Sequence, residues 1–535
     1  MPAALPVAQA DLDLVLLAVI SAVAVLLIVA YHSDVPYPIL LVVGGAALGF
    51  APGIPDVQLD PDVVLVIVLP PLLYAAAFFS SLHDVRDNLG SISLLAIGLV
   101  IATMVGVAAV AHEVIDGMSW QAAFVLGAVV SPTDPVAASA IAARLGAPRR
   151  YLTIVEGEAL VNDATALVAY KFAVAAVVSG SFSLAEASGR FVMNAVLGVA
   201  IGLAVGFVIA RLRKALDDAP TEITISLVTP YFAYLPAEAL GVSAVLAAVT
   251  AGIYLGWHSP ELITPATRIQ AFSVWEILVF VLNAGLFILV GLQLPGVIDG
   301  ISGLSTGSIV GYAIAVSAAV IVIRFLWVFP STYLPWLLSR RIREREPRVH
   351  WHFPAIVAWT GMRGAVSLAA ALAIPTTIDA GGDFPQRDLI IFLTYAVILA
   401  TLILQGTTLP VLIRVLGVEE DGNPEQRESK ARLLAARAAL DRIEELRQLD
   451  WVRDDTADRM RGIYDFRIRR FAARFDDDDD GAIDRQSQDY QRLRRKVLEA
   501  ERAEIIRLRN VGKINDEIMR RIERDLDLED TRLEV

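Results

Sequence analysis

The chain of 535 residues has no cysteine and six histidines. Disulfides and thiolate metal sites are therefore excluded, and the redox compartment is left open. It also lacks a glycine-lysine phosphate loop, a nucleophile elbow and any pair of histidines at zinc-binding spacing, which argues against an ATP-driven pump and against an intramembrane hydrolase. His350 and His352 fall in a basic loop and read as loop residues. No long basic block occurs, so a nucleic-acid partner is not expected. The opening MPAALPVAQADLD carries no positive segment of a cleavable signal, and the first apolar run is expected to be retained as a helix.

What the chain has in excess is apolar surface. Hydrophobic residues make up 56% of it and the mean hydropathy is +0.59, far above a soluble domain of this size. Charge is concentrated at one end: residues 418–535 hold 26 Lys/Arg and 31 Asp/Glu, against 19 and 27 in the first 417. The reading is an all-α polytopic membrane protein, with a transmembrane domain over 1–417 and a charged helical tail over 418–535. In the tail, apolar residues recur at helical spacing, as in Leu433, Leu440, Ile443 and Leu446, then Met460, Ile463, Tyr464, Phe471 and Phe475, then Tyr490, Leu493, Val497 and Ile505. Such stripes suit a small bundle or a dimer contact. The acidic run Asp476 to Asp480 lacks the spaced ligands and closing glutamate of a calcium loop and reads as a solvated linker.

Crossing about 30 Å of hydrocarbon takes roughly 20 apolar residues. Thirteen such windows run from 12–31 to 388–416, the fifth at 120–143, the sixth at 152–179, the eleventh at 306–336 and the twelfth at 353–376. With the N-terminus outside, the loops on the cytoplasmic side hold thirteen basic residues between Arg86 and Arg348, whereas the opposite loops hold Arg190 and Arg387. That asymmetry places the tail in the cytoplasm of a cell-membrane protein. Glu222, Glu238 and Glu276 fall near window ends, where interfacial solvation accounts for them, and Lys171 is placed to snorkel.

Several charges do not fit a plain membrane helix. The fifth window contains Ser131-Pro132-Thr133-Asp134-Pro135. Each proline lacks an N–H, so Ala128 and Ser131 lose the donors their carbonyls would have had, and the helix must break. Asp134 before Pro135 is a start signal for a second half-helix. The sixth window brings Glu158 and Asp163 toward the same depth. Glu158 and Asn162, four residues apart, share a face, while Asp163 points about 100° away. In the twelfth window Gly361 and Gly364 bracket Arg363, and that window runs in the opposite direction to the fifth. Two interrupted helices of opposite direction point to inverted repeats with a site where they cross. Arg324, deep in the eleventh window, is a second buried cation. Both arginines are expected to pair with carboxylates or free helix-end carbonyls. Glu158 is assigned to Arg363, with Arg324 and Arg363 able to exchange partners among Asp134, Glu158 and the carbonyls. Asp163 and Asp134 are left for a transported ion.

The strings SPTDPVAA, LTIVEGEALVNDATALVAY, FVLNAGLFILVGLQLP and WTGMRGAVSLAAALAIP, in that order, resemble those of the monovalent cation/proton antiporters of the sodium/proton exchanger type. The resemblance covers about residues 12–416. It implies a thirteen-helix inverted-repeat fold, a homodimer, and six core helices that move as one unit. It also implies that Asp163 binds Na+ or a proton, with Asn162, Asp134 and the Thr133 backbone beside it, and that Glu158 and Arg363 form an ion pair. Two positions depart from the common pattern. Ala159 stands where many members supply a serine hydroxyl, and Ala75 follows Tyr74 where many carry an acid.

The expected function is secondary antiport of Na+ (or Li+ or K+) against H+, electroneutral, with both ions competing for Asp163. It requires no enzyme chemistry, no cofactor and no metal beyond the transported cation. The alternative on the same architecture is a sodium-coupled symporter of an organic anion, which would need a wider cavity with unpaired basic groups.

Overall fold

The computed structural model describes residues 21–33, 35–51, 60–145, 147–180, 184–216, 218–301, 305–345, 349–417, 424–473 and 482–533. Residues 12–20 of the first window, Arg348, Phe475 and the run Asp476 to Asp480 lie outside them, as do the side chains of Arg144, Arg341 and Arg345. The chain forms two compact units, Met1–Glu419 and Glu420–Val535.

Among the described residues the apolar windows coincide with helices or pairs of half-helices, the first window only over its described part. They are α1 (Ser21–His32), α2 (Tyr37–Gly49), α3 (Val63–Phe79) and α4 (Leu89–Val114); α5 (Trp120–Val129), α6 (Val136–Arg144), α7 (Arg149–Ser179) and α8 (Leu184–Arg213); α9 (Ala219–Ala239), α10 (Ala244–Leu262), α11 (Pro265–Leu292) and α12 (Thr306–Leu338); α13 (His352–Trp359) and α14 (Ala365–Leu372); and α15 (Arg387–Leu416). Among the described residues six helical stretches are long and apolar enough by themselves to cross a membrane: 89–114, 149–179, 188–213, 265–299, 306–338 and 387–416.

Local chemistry sets the ends of these helices. Side-chain oxygens of Ser119, Asp218, Ser243 and Ser305 accept the first free N–H groups of α5, α9, α10 and α12 at 3.0 to 3.3 Å. Gly180, at φ +68°, stops α7 in the left-handed conformation that suits glycine.

The helices pack in two groups. In one, α4, α5, α7, α12, α13, α14 and α15 surround a shared apolar core that includes Val107, Leu126, Met362 and Leu402. In the other, α2 lies against α11 while α3, α8, α9 and α10 pack on one another around Leu73, Ala248 and Trp275. The two groups meet where α7 touches α3 and α10, and where α14 touches the first turns of α3. Three of the four half-helices, α5, α13 and α14, belong to the first group, and α6 touches both α15 and α2.

The tail unit contains α16 (Pro424–Arg447), α17 (Asp454–Ala473), α18 (Ala482–Asn510) and α19 (Asp516–Leu533). Its interior is thin, with Ala436, Ala457, Phe471, Leu498 and Leu526 buried. Ion pairs such as Arg461–Glu444 at 3.0 Å and Arg502–Asp527 at 2.8 Å join its helices. Of the stripe residues, Phe471 is buried, but Met460, Ile463, Tyr490 and Leu493 are exposed.

Candidate functional site at the crossing of two broken helices

The first break spans the residues between α5 and α6, and its carbonyls are rescued as the proline pattern requires. The Ala128 carbonyl accepts the Ser131 hydroxyl at 2.8 Å, and the Ser131 carbonyl accepts Nη1 of Arg363. Nη1 also donates to the Pro132 carbonyl at 2.9 Å. Asp134 then starts α6: its Oδ1 accepts the Val136 N–H at 2.9 Å, the N-cap bond expected of Asp-Pro.

The second break lies between α13 and α14 and meets the first directly. The Asp134 N–H donates to the Met362 carbonyl at 2.8 Å. The Arg363 N–H donates to the Thr401 hydroxyl at 3.1 Å, on a π-helical turn of α15, Thr401–Gln405. Turns of this kind often mark functional places in helices. Glycine is required for the contact, since a Cβ on Gly364 would sit 2.0 Å from Asp134 Oδ2, and one on Gly361 would sit 2.3 Å from Arg324 Cδ.

Here the structure corrects the assignment of Glu158 to Arg363. Glu158 is held by Arg324 through two bonds, Nη1 to Oε1 at 2.6 Å and Nη2 to Oε2 at 2.9 Å. Arg324 spends its other donors on the Val357 carbonyl at the end of α13, at 3.2 and 3.0 Å. Arg363 takes the broken-helix carbonyls instead. Both guanidiniums are fully buried. The exchange has a physical reason: Glu158 lies toward the α13 side of α7, where α12 passes, and bidentate geometry there satisfies all four partner atoms.

From Glu158 a chain of hydrogen bonds runs toward the ion-binding candidates. The Thr133 hydroxyl donates to Glu158 Oε1 at 3.1 Å and accepts from Asn162 Nδ2 at 2.6 Å. Asn162 is 1% exposed, and its Oδ1 has no hydrogen-bond partner among the described residues. Asp163, 8% exposed on the neighbouring face of α7, pairs with no basic side chain among the described residues. Ala159 is buried and brings no oxygen. The arrangement therefore brings Asn162, with its orphaned Oδ1, to the first break at Thr133, next to Asp134, with Asp163 following on α7; these are oxygen donors of the kind a dehydrated monovalent cation requires.

The sodium/hydrogen exchanger (transmembrane) family model matches residues 16–415. The chain belongs to that family. Among its relatives, an uncharacterised Na+/H+ exchanger of Mycobacterium tuberculosis is 37% identical over 523 residues, 97% of this chain and 96% of that protein. A sodium, potassium, lithium and rubidium/H+ antiporter of Bacillus subtilis is 34% identical over 414 residues, 75% of this chain and 61% of that protein. The sodium proton antiporter MjNhaP1 of Methanocaldococcus jannaschii has the same fold: its structure at pH 8 superposes with a TM-score of 0.57 at 17% identity, covering 75% of this chain and 99% of that one. The exchanger is thus a multi-pass membrane transporter of cations and protons.

Outside the crossing, this exchanger contains charges that sequence reasoning misplaced. Arg213, counted as a loop residue, and Glu222, taken as solvated, are both 1% exposed, and Arg213 Nη2 stands 3.7 Å from Glu222 Oε2. Tyr74 is buried beside them, and Trp275 Nε1 donates to Ser226 at 2.9 Å. Lys171 does not simply snorkel but binds Glu238 at 2.8 Å on the exposed edge between α7 and α9. The signal for the first cluster was an arginine and a glutamate on either side of one short connection. Window edges alone could not tell whether that connection lay in water.

Proposed function

We propose that the protein exchanges Na+, or Li+ or K+, for H+ at Asp163, with the cation and the proton occupying the same carboxylate in turn. The observation that carries this is a buried acid without a basic partner. Arg324 neutralises Glu158, and Arg363 is engaged with the carbonyls of the first break. Around the two breaks two guanidiniums stand against Glu158, Asp134 and Asp163, so at least one of these acids is left without a basic partner among the described residues. One monovalent cation, or one proton, brings that set to zero. A charge left uncompensated at this depth is costly, so the resting state holds one or the other and the exchange is electroneutral. Protons at low pH compete with the cation and stall its transport.

Asn162 supplies its free Oδ1 to the cation, Asp134 a second carboxylate, and Thr133 holds Asn162 in that orientation. Ala159 leaves one ligand position to water, which supports broad selectivity among alkali cations. The rest of the reading places thirteen crossings in inverted repeats in the cell membrane, N-terminus outside and tail in the cytoplasm, in a homodimer whose tail helices regulate or stabilise it. Arg324 is fully engaged, whereas Arg363 gives Nη1 to two carbonyls and keeps Nε and Nη2 without a hydrogen-bond partner among the described residues; the organic-anion alternative is set aside because the carboxylates here outnumber the guanidiniums.

The test is Na+-driven proton movement in proteoliposomes. Asp163→Asn is expected to remove it while the protein remains folded and monodisperse. Substantial residual exchange in that variant sinks the assignment.

A further inference from the structure

Between the two helix groups lies an apolar slot of about 580 Å³ that the ion site does not use. Its walls include Ile141 and Leu145 at the end of α6, Phe280 of α11 and Val411 of α15. Tyr31 and Arg414 stand at its polar end; both are exposed, and Arg414 is the one charged residue on the walls among the described residues. An arginine in the last turn of a membrane helix reaches the interface whatever lies beside it. Arg414 differs in having an apolar slot beneath it, sized for a chain rather than for a folded partner.

We propose that this slot binds an anionic phospholipid, its acyl chain between α6 and α11 and its phosphate on Arg414. Water fills such a space poorly, because it needs two to four polar partners, and an empty slot forfeits dispersion contacts along its walls. A hydrocarbon chain from the neighbouring leaflet meets both conditions. The guanidinium suits a phosphate by its paired donors, and a tyrosine at the mouth suits headgroup depth. The orientation proposed above puts Arg414 at the cytoplasmic surface, where anionic lipid is enriched.

The slot is also coupled to the ion site. Part of its wall is α6, the half-helix that begins at Asp134, and Tyr37 at the start of α2 faces it across the slot. A chain lodged there holds α6 against α11 and stabilises this arrangement of the two groups. A ligand that favours one arrangement slows any cycle that must leave it. Anionic lipid is therefore a brake on exchange.

The experiment reconstitutes the full chain in vesicles of phosphatidylcholine alone, or with phosphatidylglycerol at about one part in four, a basic residue at such a surface contributing about a fivefold change in occupancy. Na+-driven pH dissipation is expected to be about fivefold slower with phosphatidylglycerol. Arg414→Gln should match the native chain in neutral vesicles and lose that response. Native mass spectrometry should show phosphatidylglycerol retained by the native chain and lost from Arg414→Gln. Ile141→Trp, which fills the slot and keeps the arginine, should also lose the lipid. Retention of the lipid by both variants, or a lipid response unchanged in Arg414→Gln, overturns the proposal. So does a change in cation half-saturation that is equal in both vesicle types, since the slot would then be an ion path. Lipid retention is measured without transport, so it decides this proposal even if the exchange reading fails.

Discussion

Two arginine–glutamate pairs are buried in the membrane unit, and they differ in what surrounds them. Arg324 and Glu158 share two short hydrogen bonds at the crossing of the breaks, with the spare donors capping α13. Arg213 and Glu222 stand 3.7 Å apart between the ends of α8 and α9, with Tyr74, Ser226 and Trp275 nearby. The second cluster balances its own charge and has nothing left over. The first sits beside Asp163 and Asp134, which no arginine neutralises. Burial of charge is thus common to both regions, and it is the surplus carboxylate on which the proposed ion site rests.

The sharpest way to break this comparison is to neutralise one acid in each region. Asp163→Asn is expected to abolish exchange, whereas Glu222→Gln should leave cation half-saturation and pH dependence unchanged in the protein that folds. Loss of both activities to the same degree would erase the distinction. Gly364→Ala should follow in size. Its Cβ would meet not only Asp134 Oδ2 but Asp134 Cβ at 2.6 Å, so the breaks must separate. Exchange should fall on the order of 100-fold, a displacement of about 1 Å in a binding geometry costing that much. Near-native rates in this variant would show that the two breaks need not touch.

Removing a partner from a buried pair typically costs about 3–5 kcal/mol. Arg324→Ala is expected near ~5 kcal/mol and Arg213→Ala near ~3 kcal/mol, because only Arg324 leaves four satisfied hydrogen-bond positions behind. Thermal unfolding in detergent measures the order, and an inverted order would mean that the looser pair holds the membrane unit together. The smallest effect is expected for Ala159→Ser. A returned hydroxyl beside Glu158 should shift the preference among Na+, Li+ and K+ by about threefold, on the scale of one net hydrogen bond. An unchanged preference would place residue 159 outside the coordination sphere.

Much of the crossing was legible from local chemistry. Proline removes a named donor from a named carbonyl, so Ala128 and Ser131 could be singled out before any packing was known. Asp-Pro announces the start of α6 for the same reason, and the i,i+4 spacing that put Glu158 and Asn162 on one face is met by their shared contact with Thr133. The partners of the arginines were not legible. Arg324 and Arg363 lie 39 residues apart in sequence, and either could reach Glu158 in a helix-by-helix reading. Helix rotation and the approach of α12 to the end of α13 select Arg324. The burial of Arg213 and Glu222 was missed for a related reason, since which face of a helix end meets its neighbour is set by packing and not by hydropathy.

By itself the sequence determined that this is a polytopic helical membrane protein, where two of its helices must break, and which acids are too deep to be ordinary. These follow from solvation of backbone and side chains, which each residue carries with it. Only the tertiary structure decided that the two breaks meet, that Arg363 serves carbonyls while Arg324 serves Glu158, and that Asp163 pairs with no basic side chain among the described residues. Pairing depends on distances of a few tenths of an ångström between helices far apart in sequence, and no local rule contains them.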